Sequence, residues 1–268
     1  MRRYLLASLF SICTVFPHDL YLMPQSFAVK PGQQLRIVYQ NGEGFPDAPA
    51  ITKPERLRNT QLLSKAGTAK FENIEAQDKH TTATVLIPGS GTMILTSNTV
   101  PNSIEFTPSE FETYLAEEGL QHIIAWRKAN NESQRKGSER YSKYAKSILQ
   151  SSSSDSYYKQ RTGLPIEIVP ESDPYSLKPG ASMMVQVLFK GAPAKDVAVE
   201  SAFLEAGKAK FEIVGRTDAK GRVRVPIKAI GPHKLHALVM ERCVEPKVAD
   251  WESFWASLTF EIQPKPGN

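Results

Sequence analysis

The sequence predicts a mainly β protein made of two β-sandwich domains, with a helical insertion in the first. Three observations carry this prediction: an internal repeat, a series of short alternating segments, and one segment with helical spacing. The chain has 268 residues, of which 41% are hydrophobic and 23% are charged. This length and balance are typical of a water-soluble protein with two hydrophobic cores.

The repeat places the same turn near the start of each predicted domain. Residues 27–39 align with residues 175–187, and each copy has alternating apolar residues, then Lys-Pro-Gly, then a segment of period two. Because proline fixes φ and glycine tolerates positive φ, each Pro-Gly pair indicates a turn between two strands. Such an opening is typical of immunoglobulin-like sandwiches, so we expect one over residues 18–162 and another over residues 163–268.

Short segments with strand composition recur through both halves and are separated by turn residues. In the second half they cover 166–169, 183–189, 197–203, 211–214, 222–227, 234–240 and 258–262. In the first half they cover 35–40, 82–87, 92–97 and 104–106. Seven strands are enough for a sandwich. Residues 217–223 also resemble transthyretin-like β-sandwiches, a likeness of fold that carries no activity.

A helical insertion is predicted over about residues 108–130. Thr107-Pro108-Ser109-Glu110 has the capping-box pattern with proline at the first helical position, and apolar residues follow at helical spacing. Gly119 interrupts the pattern, which predicts two short helices or one kinked helix. For residues 141–149 the helix and strand patterns both fit, and the choice stays open.

The first residues have the pattern of a secretory signal. Arg2 and Arg3 precede about a dozen mostly apolar residues, so we expect a signal peptide over residues 1–17 and export to the periplasm or beyond. A buried N-terminal strand is the alternative. Cys13 lies in this segment, where lipid attachment is a second interpretation, and Cys243 is then the one cysteine left, which excludes an internal disulfide.

The basic residues concentrate in one stretch. The formal net charge is +5, and residues 127–146 hold seven basic against two acidic side chains. Because no nucleic-acid motif or regular aromatic interleaving accompanies them, we interpret the stretch as a solvated helical face and loop, with no nucleic-acid partner. We also expect no transmembrane segment in the mature chain.

Histidines are the main candidates for chemistry, because the usual enzyme motifs are missing and we expect no enzyme. If the signal is cut after Pro17, the terminal amine and imidazole of His18 form a chelate that suits nickel or copper, with Asp19 as a possible oxygen ligand. Alternatively, His18 is only the exposed end of a strand. His122 follows Glu118 by four residues, which predicts a pair on one helical face.

Two further groups are assigned structural roles. His233 and His236 are three residues apart and so fall on opposite faces of the predicted strand. Trp251, Phe254 and Trp255 offer a stacking platform, but core or interface packing is the favoured interpretation.

Several blocks of the chain together resemble one bacterial family, the domain-of-unknown-function family numbered 4198. The blocks are His18-Asp19-Leu20-Tyr21-Leu22, the Lys30-Pro31-Gly32 turn, Asn41-Gly42-Glu43-Gly44-Phe45, and residues 111–120, 141–146, 166–175 and 250–255. Val239 stands where the family pattern has a histidine.

The resemblance implies an exported protein, because members of this family are exported and some accompany nickel and cobalt uptake systems. We therefore expect an extracytoplasmic binding protein that handles nickel, cobalt or copper for a membrane uptake complex. His18 and Asp19 are the candidate ligands. The alternative is an envelope interaction module that binds a polymer or a protein without metal.

Overall fold

A computed structural model describes residues 19–153 and 155–264 of the chain. The predicted signal peptide, Cys13 and His18 lie outside these residues. The first half contains the strands β1 Leu20–Pro24, β2 Ala28–Val29, β3 Gln34–Asn41, β4 Leu57–Ser64, β5 Gly67–Lys70, β6 Glu72–Gln77, β7 His80–Leu86, β8 Gly91–Thr99, β9 Asn102–Phe106 and β10 Gly137–Ser151. Two helices, α1 Pro108–Glu117 and α2 Gln121–Ala129, lie between β9 and β10.

The second half is formed by strands alone, apart from short 3-10 turns. They are β11 Ile166–Pro170, β12 Ser182–Phe189, β13 Ala192–Pro193, β14 Ala198–Glu205, β15 Lys208–Arg216, β16 Arg222–Pro226, β17 Gly231–Arg242 and β18 Trp251–Ile262. Every strand predicted from the sequence has its counterpart among these elements. The protein is mainly β, as its sequence predicts.

One ten-stranded sheet runs through both halves of the chain. Its order is β15-β14-β17-β18-β10-β8-β4-β5, and β2 and β9 also pair with β10. The halves meet where β10 and β18 pair in parallel, from Glu139 opposite Trp251 to Ser147 opposite Thr259. Two four-stranded sheets cover it, one formed by β1-β3-β7-β6 and the other by β11-β12-β13 with β16 on β12. The two sandwiches therefore share a central sheet.

The two covering sheets lie on opposite faces of the central sheet. Ile148 belongs to the core formed with the second covering sheet, and its neighbour Leu149 belongs to the core formed with the first. Successive strand residues point to opposite faces, so these cores are on opposite sides. The helices share the face of the first covering sheet, because Trp255 packs with them while Ser257, two residues on, donates a hydrogen bond to the Leu20 carbonyl at 2.6 Å.

The internal repeat has the same hydrogen bonds in both halves. The Gly32 nitrogen donates to the Ile87 carbonyl at 2.9 Å, and the Gly180 nitrogen donates to the Ile227 carbonyl at 2.8 Å. Gly32 has φ +77° and Gly180 has φ +90°, as the Pro-Gly turn requires. The predicted repeat is confirmed.

The helical insertion begins with the predicted capping box. The Thr107 nitrogen donates to Oε2 of Glu110 at 2.8 Å, and the Glu110 nitrogen donates back to Oγ1 of Thr107. Gly119, with φ +67°, separates two short helices. Residues 141–149, for which the pattern was ambiguous, form part of the strand β10. No helix in the described ranges is long and apolar enough to cross a membrane.

The interpretation of residues 127–146 as a solvated surface is wrong for three of the basic residues. Arg127, Lys143 and Lys146 are buried. The Nε atom of Arg127 lies 2.9 Å from Oε1 of Glu112, and Nζ of Lys146 lies 2.8 Å from Oε2 of Glu167. Lys143 and Lys146 lie on the central strand β10 and Arg127 lies on α2, so all three side chains point into the layers, where partners from other elements meet them.

Candidate functional site

An acidic cavity of about 420 Å³ opens where the start of β1, the helices and β17 meet. It is lined by five carboxylates and by one ammonium, one imidazole and three aromatic rings. The lining residues are Asp19, Gly42, Glu43, Tyr114, Glu117, Glu118, Glu200, Phe211, Lys234, His236 and Trp255. The excess of carboxylates gives this cavity a negative potential that favours cations.

Asp19 is held in the wall of the cavity by charge. It is 9% exposed, and its Oδ2 accepts a hydrogen bond from Nζ of Lys234. Oδ1 lies 2.7 Å from Nδ1 of His236. The Asp19 carbonyl also accepts a hydrogen bond of 3.0 Å from the Gly42 nitrogen, which fixes the backbone. The chain therefore enters the fold at this cavity in one defined position.

His236 lies between two carboxylates. Its Nδ1 faces Asp19, and its Nε2 lies 3.5 Å from Oε2 of Glu118. Burial alone would lower the pKa of His236, but the two carboxylates outweigh it and raise the pKa to about 10. Burial likewise opposes ionisation of Asp19, yet His236 and Lys234 hold its pKa well below the usual range. The pair is thus an imidazolium and a carboxylate at neutral pH.

The register of the central sheet brings Glu200 to the same place. Glu200 on β14 stands directly opposite His236 on β17. Burial raises the pKa of Glu200, and the nearby charges of His236 and Lys234 only partly oppose this. Nζ of Lys234 also lies 5.2 Å from the centre of the Tyr21 ring, a cation–π distance. The charged side chains of Asp19, Glu118, Glu200, Lys234 and His236 therefore lie together, although they come from distant parts of the chain.

Among the described residues, no group of three or more His, Cys, Asp or Glu side chains is arranged to hold a metal ion. Nε2 of His236 and Oε2 of Glu118 are two potential metal donors that lie 3.5 Å apart. The imidazole must lose its proton before it can bind a metal. His18 lies outside the described residues, so the predicted chelate at His18 and Asp19 stays a prediction.

The predicted pair of Glu118 and His122 on one helical face is wrong. Glu118 follows the last residue of α1 and faces His236, whereas His122 belongs to α2. Gly119 turns the chain between them, so they do not share a helix. His122 lines another, small cavity with Asp196 and Arg216, which Glu118 also borders, and burial lowers the pKa of His122.

The other structural assignments are confirmed. The ring of His233 stacks between Phe203 and Phe260, on the face of β17 opposite that of His236. Trp251 and Trp255 are buried beneath the helices, and Phe254 packs in the second core. The aromatic cluster is therefore core.

Sequence reasoning did not identify the partners of Asp19. Lys234 and His236 alternate with Leu235 and Ala237 in β17, and that alternation was the available signal. Val239, the position at which the family pattern has a histidine, packs against the second core and so faces away from the cavity.

The class of protein is thus a layered β-sandwich with a carboxylate-rich cavity around a buried Asp–His–Lys group. The chain belongs to the family described as a domain of unknown function, DUF4198, whose model matches residues 15–241. No curated protein matches the chain in sequence.

Several solved structures of bacterial adhesins show remote similarity. The D0-D1 domain of intimin is 11% identical, with 91% of this chain and 97% of that chain covered and a TM-score of 0.27. The Escherichia coli adhesin FdeC is 10% identical over 82% of this chain and 58% of that one, with a TM-score of 0.24. The Yersinia pseudotuberculosis adhesin InvE is 14% identical over 90% and 58%, with a TM-score of 0.22. Similarity at this level does not establish a shared function, and the fold assignment rests on the chain's own sheets.

Proposed function

We propose that the protein is an exported binding protein that captures a divalent transition metal, nickel or cobalt, and passes it to a membrane uptake partner. It acts by binding and not by catalysis. One observation supports this function above the others: Asp19 is fixed in the wall of a cavity that holds five carboxylates. The metal is the cargo of the protein, and copper is the third ion that the same donors suit.

The position of Asp19 determines where a shortened chain would begin. One peptide bond joins residue 18 to Asp19, so their Cα atoms are about 3.8 Å apart. In a chain cut after Pro17, the amine and imidazole of His18 would start beside the cavity. The carboxylates would raise the local concentration of divalent cations around that terminus.

His236 and Glu118 are the partners that the cavity offers to such a chelate. An amine and an imidazole supply two nitrogen ligands, and Nε2 of His236 would supply a third after deprotonation. Because the pKa of His236 is raised to about 10, metal binding must release this proton. Affinity through His236 should therefore increase as the pH rises.

The test is a calorimetric titration of nickel, cobalt and copper into protein that begins at His18. The same protein with one added N-terminal alanine lacks the terminal chelate. His236→Gln removes the third nitrogen, and His80→Gln is a matched control, because His80 lies on β7 and pairs there with Asp47. We expect tight binding that the added alanine abolishes, that His236→Gln weakens about tenfold or more, and that His80→Gln leaves unchanged.

Absence of binding in both the His18 protein and its alanine-extended form would contradict this function. The alternative, an envelope interaction module without metal, has its own support. Strand β15 is an edge of the ten-stranded sheet, and Phe211 and Ile213 on it are 44% and 60% exposed. An edge strand with exposed apolar side chains is suited to pairing with another protein.

A further inference from the structure

A second cavity, of about 380 Å³, has the opposite charge to the first. Its charged lining residues are Lys53, Arg56 and Lys143, and no carboxylate from residues 19–153 or 155–264 lines it. Asn41 lines this cavity and its neighbour Gly42 lines the acidic one, so the two lie on either side of the end of β3. A volume of this size accommodates a small organic or inorganic ligand.

Lys143 is a buried cation with unused hydrogen-bonding capacity. It is 7% exposed, and its Nζ donates one hydrogen bond of 2.8 Å to Oδ1 of Asn41. An ammonium has three donors, so two remain without a hydrogen-bond acceptor, and the centre of the Tyr141 ring lies 5.7 Å from Nζ. Within the described ranges no carboxylate lies at ion-pair distance from Nζ of Lys143. By contrast, the other buried lysine of β10, Lys146, is paired with Glu167. A buried charge is normally paired, so Lys143 is unusual.

The charge of Arg56 makes this arrangement less favourable still. Burial is the main cause that lowers the pKa of Lys143 to about 8; Asp19 and Glu139 oppose the shift, and the charge of Arg56 adds to it. The Arg56 guanidinium donates to the Val100 carbonyl at 3.2 Å, which fixes it beside the cavity. Two fixed positive charges face one cavity, and an anion between them would offset their repulsion.

Thr52 supplies an independent sign of a ligand. It is 6% exposed, and its hydroxyl Oγ1 has no hydrogen-bond partner among the described residues. The Thr52 carbonyl accepts a bond of 2.6 Å from Oγ1 of Thr81, which holds the backbone in place. Buried hydroxyls are rarely left without a hydrogen-bond partner, so the Thr52 hydroxyl is available to donate to an oxygen of a bound ligand.

We propose that this cavity binds a small oxyanion, a carboxylate or a phosphate group, held by Lys143, Arg56 and the hydroxyl of Thr52. An ammonium and a guanidinium donate charge-assisted hydrogen bonds to such oxygens, and a guanidinium can do so in pairs. Lys53 at the exposed rim adds long-range attraction. The site is independent of metal capture, because its charge repels cations.

The test is calorimetry of the whole chain with inorganic phosphate and, separately, with succinate, in chloride buffer at constant ionic strength and without transition metal. We expect saturable binding of at least one of the two anions, and the stronger one identifies the class of ligand. Lys143→Gln should weaken it about tenfold or more, and Thr52→Val should weaken it several-fold. Lys70→Gln removes an exposed lysine on β5 and should leave binding unchanged.

Lys53→Gln keeps the proposal testable if the buried variants do not fold, because Lys53 is exposed. It should weaken binding about two- to fivefold. Absence of saturable binding with both anions would overturn the proposal, as would equal losses in Lys53→Gln and Lys70→Gln, which would indicate general charge screening. A chain extended by one N-terminal alanine should bind the anion as before, which separates this site from the metal site.

Discussion

Nδ1 of His236 lies 2.7 Å from Oδ1 of Asp19, and this ion pair ties the start of the described chain to strand β17. Lys234, two residues earlier on β17, holds the other oxygen of the same carboxylate. The beginning of β1 is therefore anchored by two cations from one strand. The same contacts place Asp19 in the wall of the acidic cavity, so anchoring and the proposed metal capture depend on one group.

We expect the free energy of unfolding to fall as the pH rises through the alkaline range. The pKa of His236 is 6.5 as a reference and about 10 in the fold, so its stabilisation is complete below about pH 6.5 and is lost towards pH 10. The lowered pKa of Asp19 adds stability above pH 3.8 that is lost as the pH falls below it. Urea unfolding between pH 5 and 10 measures the alkaline slope.

His236→Gln isolates this contribution. Glu118, Glu200, Lys234 and Asp19 face the imidazole and remain in the variant. We expect the wild type to be more stable than the variant at pH 6 by on the order of 2–4 kcal/mol, with the difference shrinking towards pH 10. A difference that stays constant over this range would contradict the assigned charge of His236.

Lys146 and Glu167 form a buried ion pair between the two halves, and we expect their contributions to stability to be strongly coupled. Nζ of Lys146 lies 2.8 Å from Oε2 of Glu167, which also accepts hydrogen bonds from the nitrogen and hydroxyl of Thr162. Lys146→Met would leave a buried carboxylate without its cation and should cost about 3–5 kcal/mol. Urea unfolding measures the loss.

A double-mutant cycle shows whether the pair itself is responsible. Lys146→Met with Glu167→Gln should cost less than the sum of the single changes, by about 1.5 kcal/mol or more. Lys228→Met is the matched control, because its pair with Glu212 is partly exposed to solvent, and it should cost about 1 kcal/mol or less. Additive costs for Lys146 and Glu167 would be evidence against coupling across the halves.

The two repeated turns should respond alike to substitution. Gly32 and Gly180 both have positive φ, and a Cβ added at either meets no atom within 4 Å. Gly32→Ala and Gly180→Ala therefore introduce backbone strain without a steric clash, and each should lower the free energy of unfolding by about 1 kcal/mol. The double variant should lose about 2 kcal/mol. Gly89→Ala, where φ lies outside the left-handed region, should change stability by less than about 0.5 kcal/mol. Thermal unfolding of the four variants checks this, and unequal costs would mean that the turns are not equivalent.

Local pattern predicted much of the fold, but not how its halves are joined. The segment 183–189 alternates cleanly and lies within β12. Strand β6 has mostly exposed residues, so its sequence lacks the alternation of apolar and polar residues that predicts a strand. Strand β10 buries the polar residues Lys143, Lys146 and Ser147, and the two lysines meet Asn41 and Glu167 from other segments, so its pattern was ambiguous.

The candidate site depends even more on distant pairing. Asp19 was identified from the sequence, but Glu200 and His236 meet only because β14 and β17 are paired in one register. Glu118 reaches them because Gly119 ends the first helix there. A sequence pattern describes neighbours along the chain, whereas this cavity is formed by strand order and register.

Glu139 is a buried carboxyl whose ionisation should destabilise the protein above neutral pH. Oε1 accepts hydrogen bonds from the hydroxyls of Tyr114, at 3.1 Å, and Ser253, whereas Oε2 has no partner in the described structure. Burial raises the pKa of Glu139 from 4.5 to about 7, and the hydrogen bonds from Ser253 and Tyr114 only partly oppose this. The folded state therefore holds a proton that the unfolded state releases between these values, and stability falls as the pH rises through them.

Glu139→Gln removes this titration and keeps a carbonyl oxygen to accept the two hydroxyls. At pH 8 we expect the variant to be more stable than the wild type by about 1–3 kcal/mol. At pH 4.5 we expect this stability difference to be smaller by about 1–3 kcal/mol. Urea unfolding at the two pH values measures this. Glu105→Gln, at an exposed position of β9, is the control and should show no such change. An equal offset at both pH values would mean that the fold does not raise the pKa of Glu139 and would contradict this assignment.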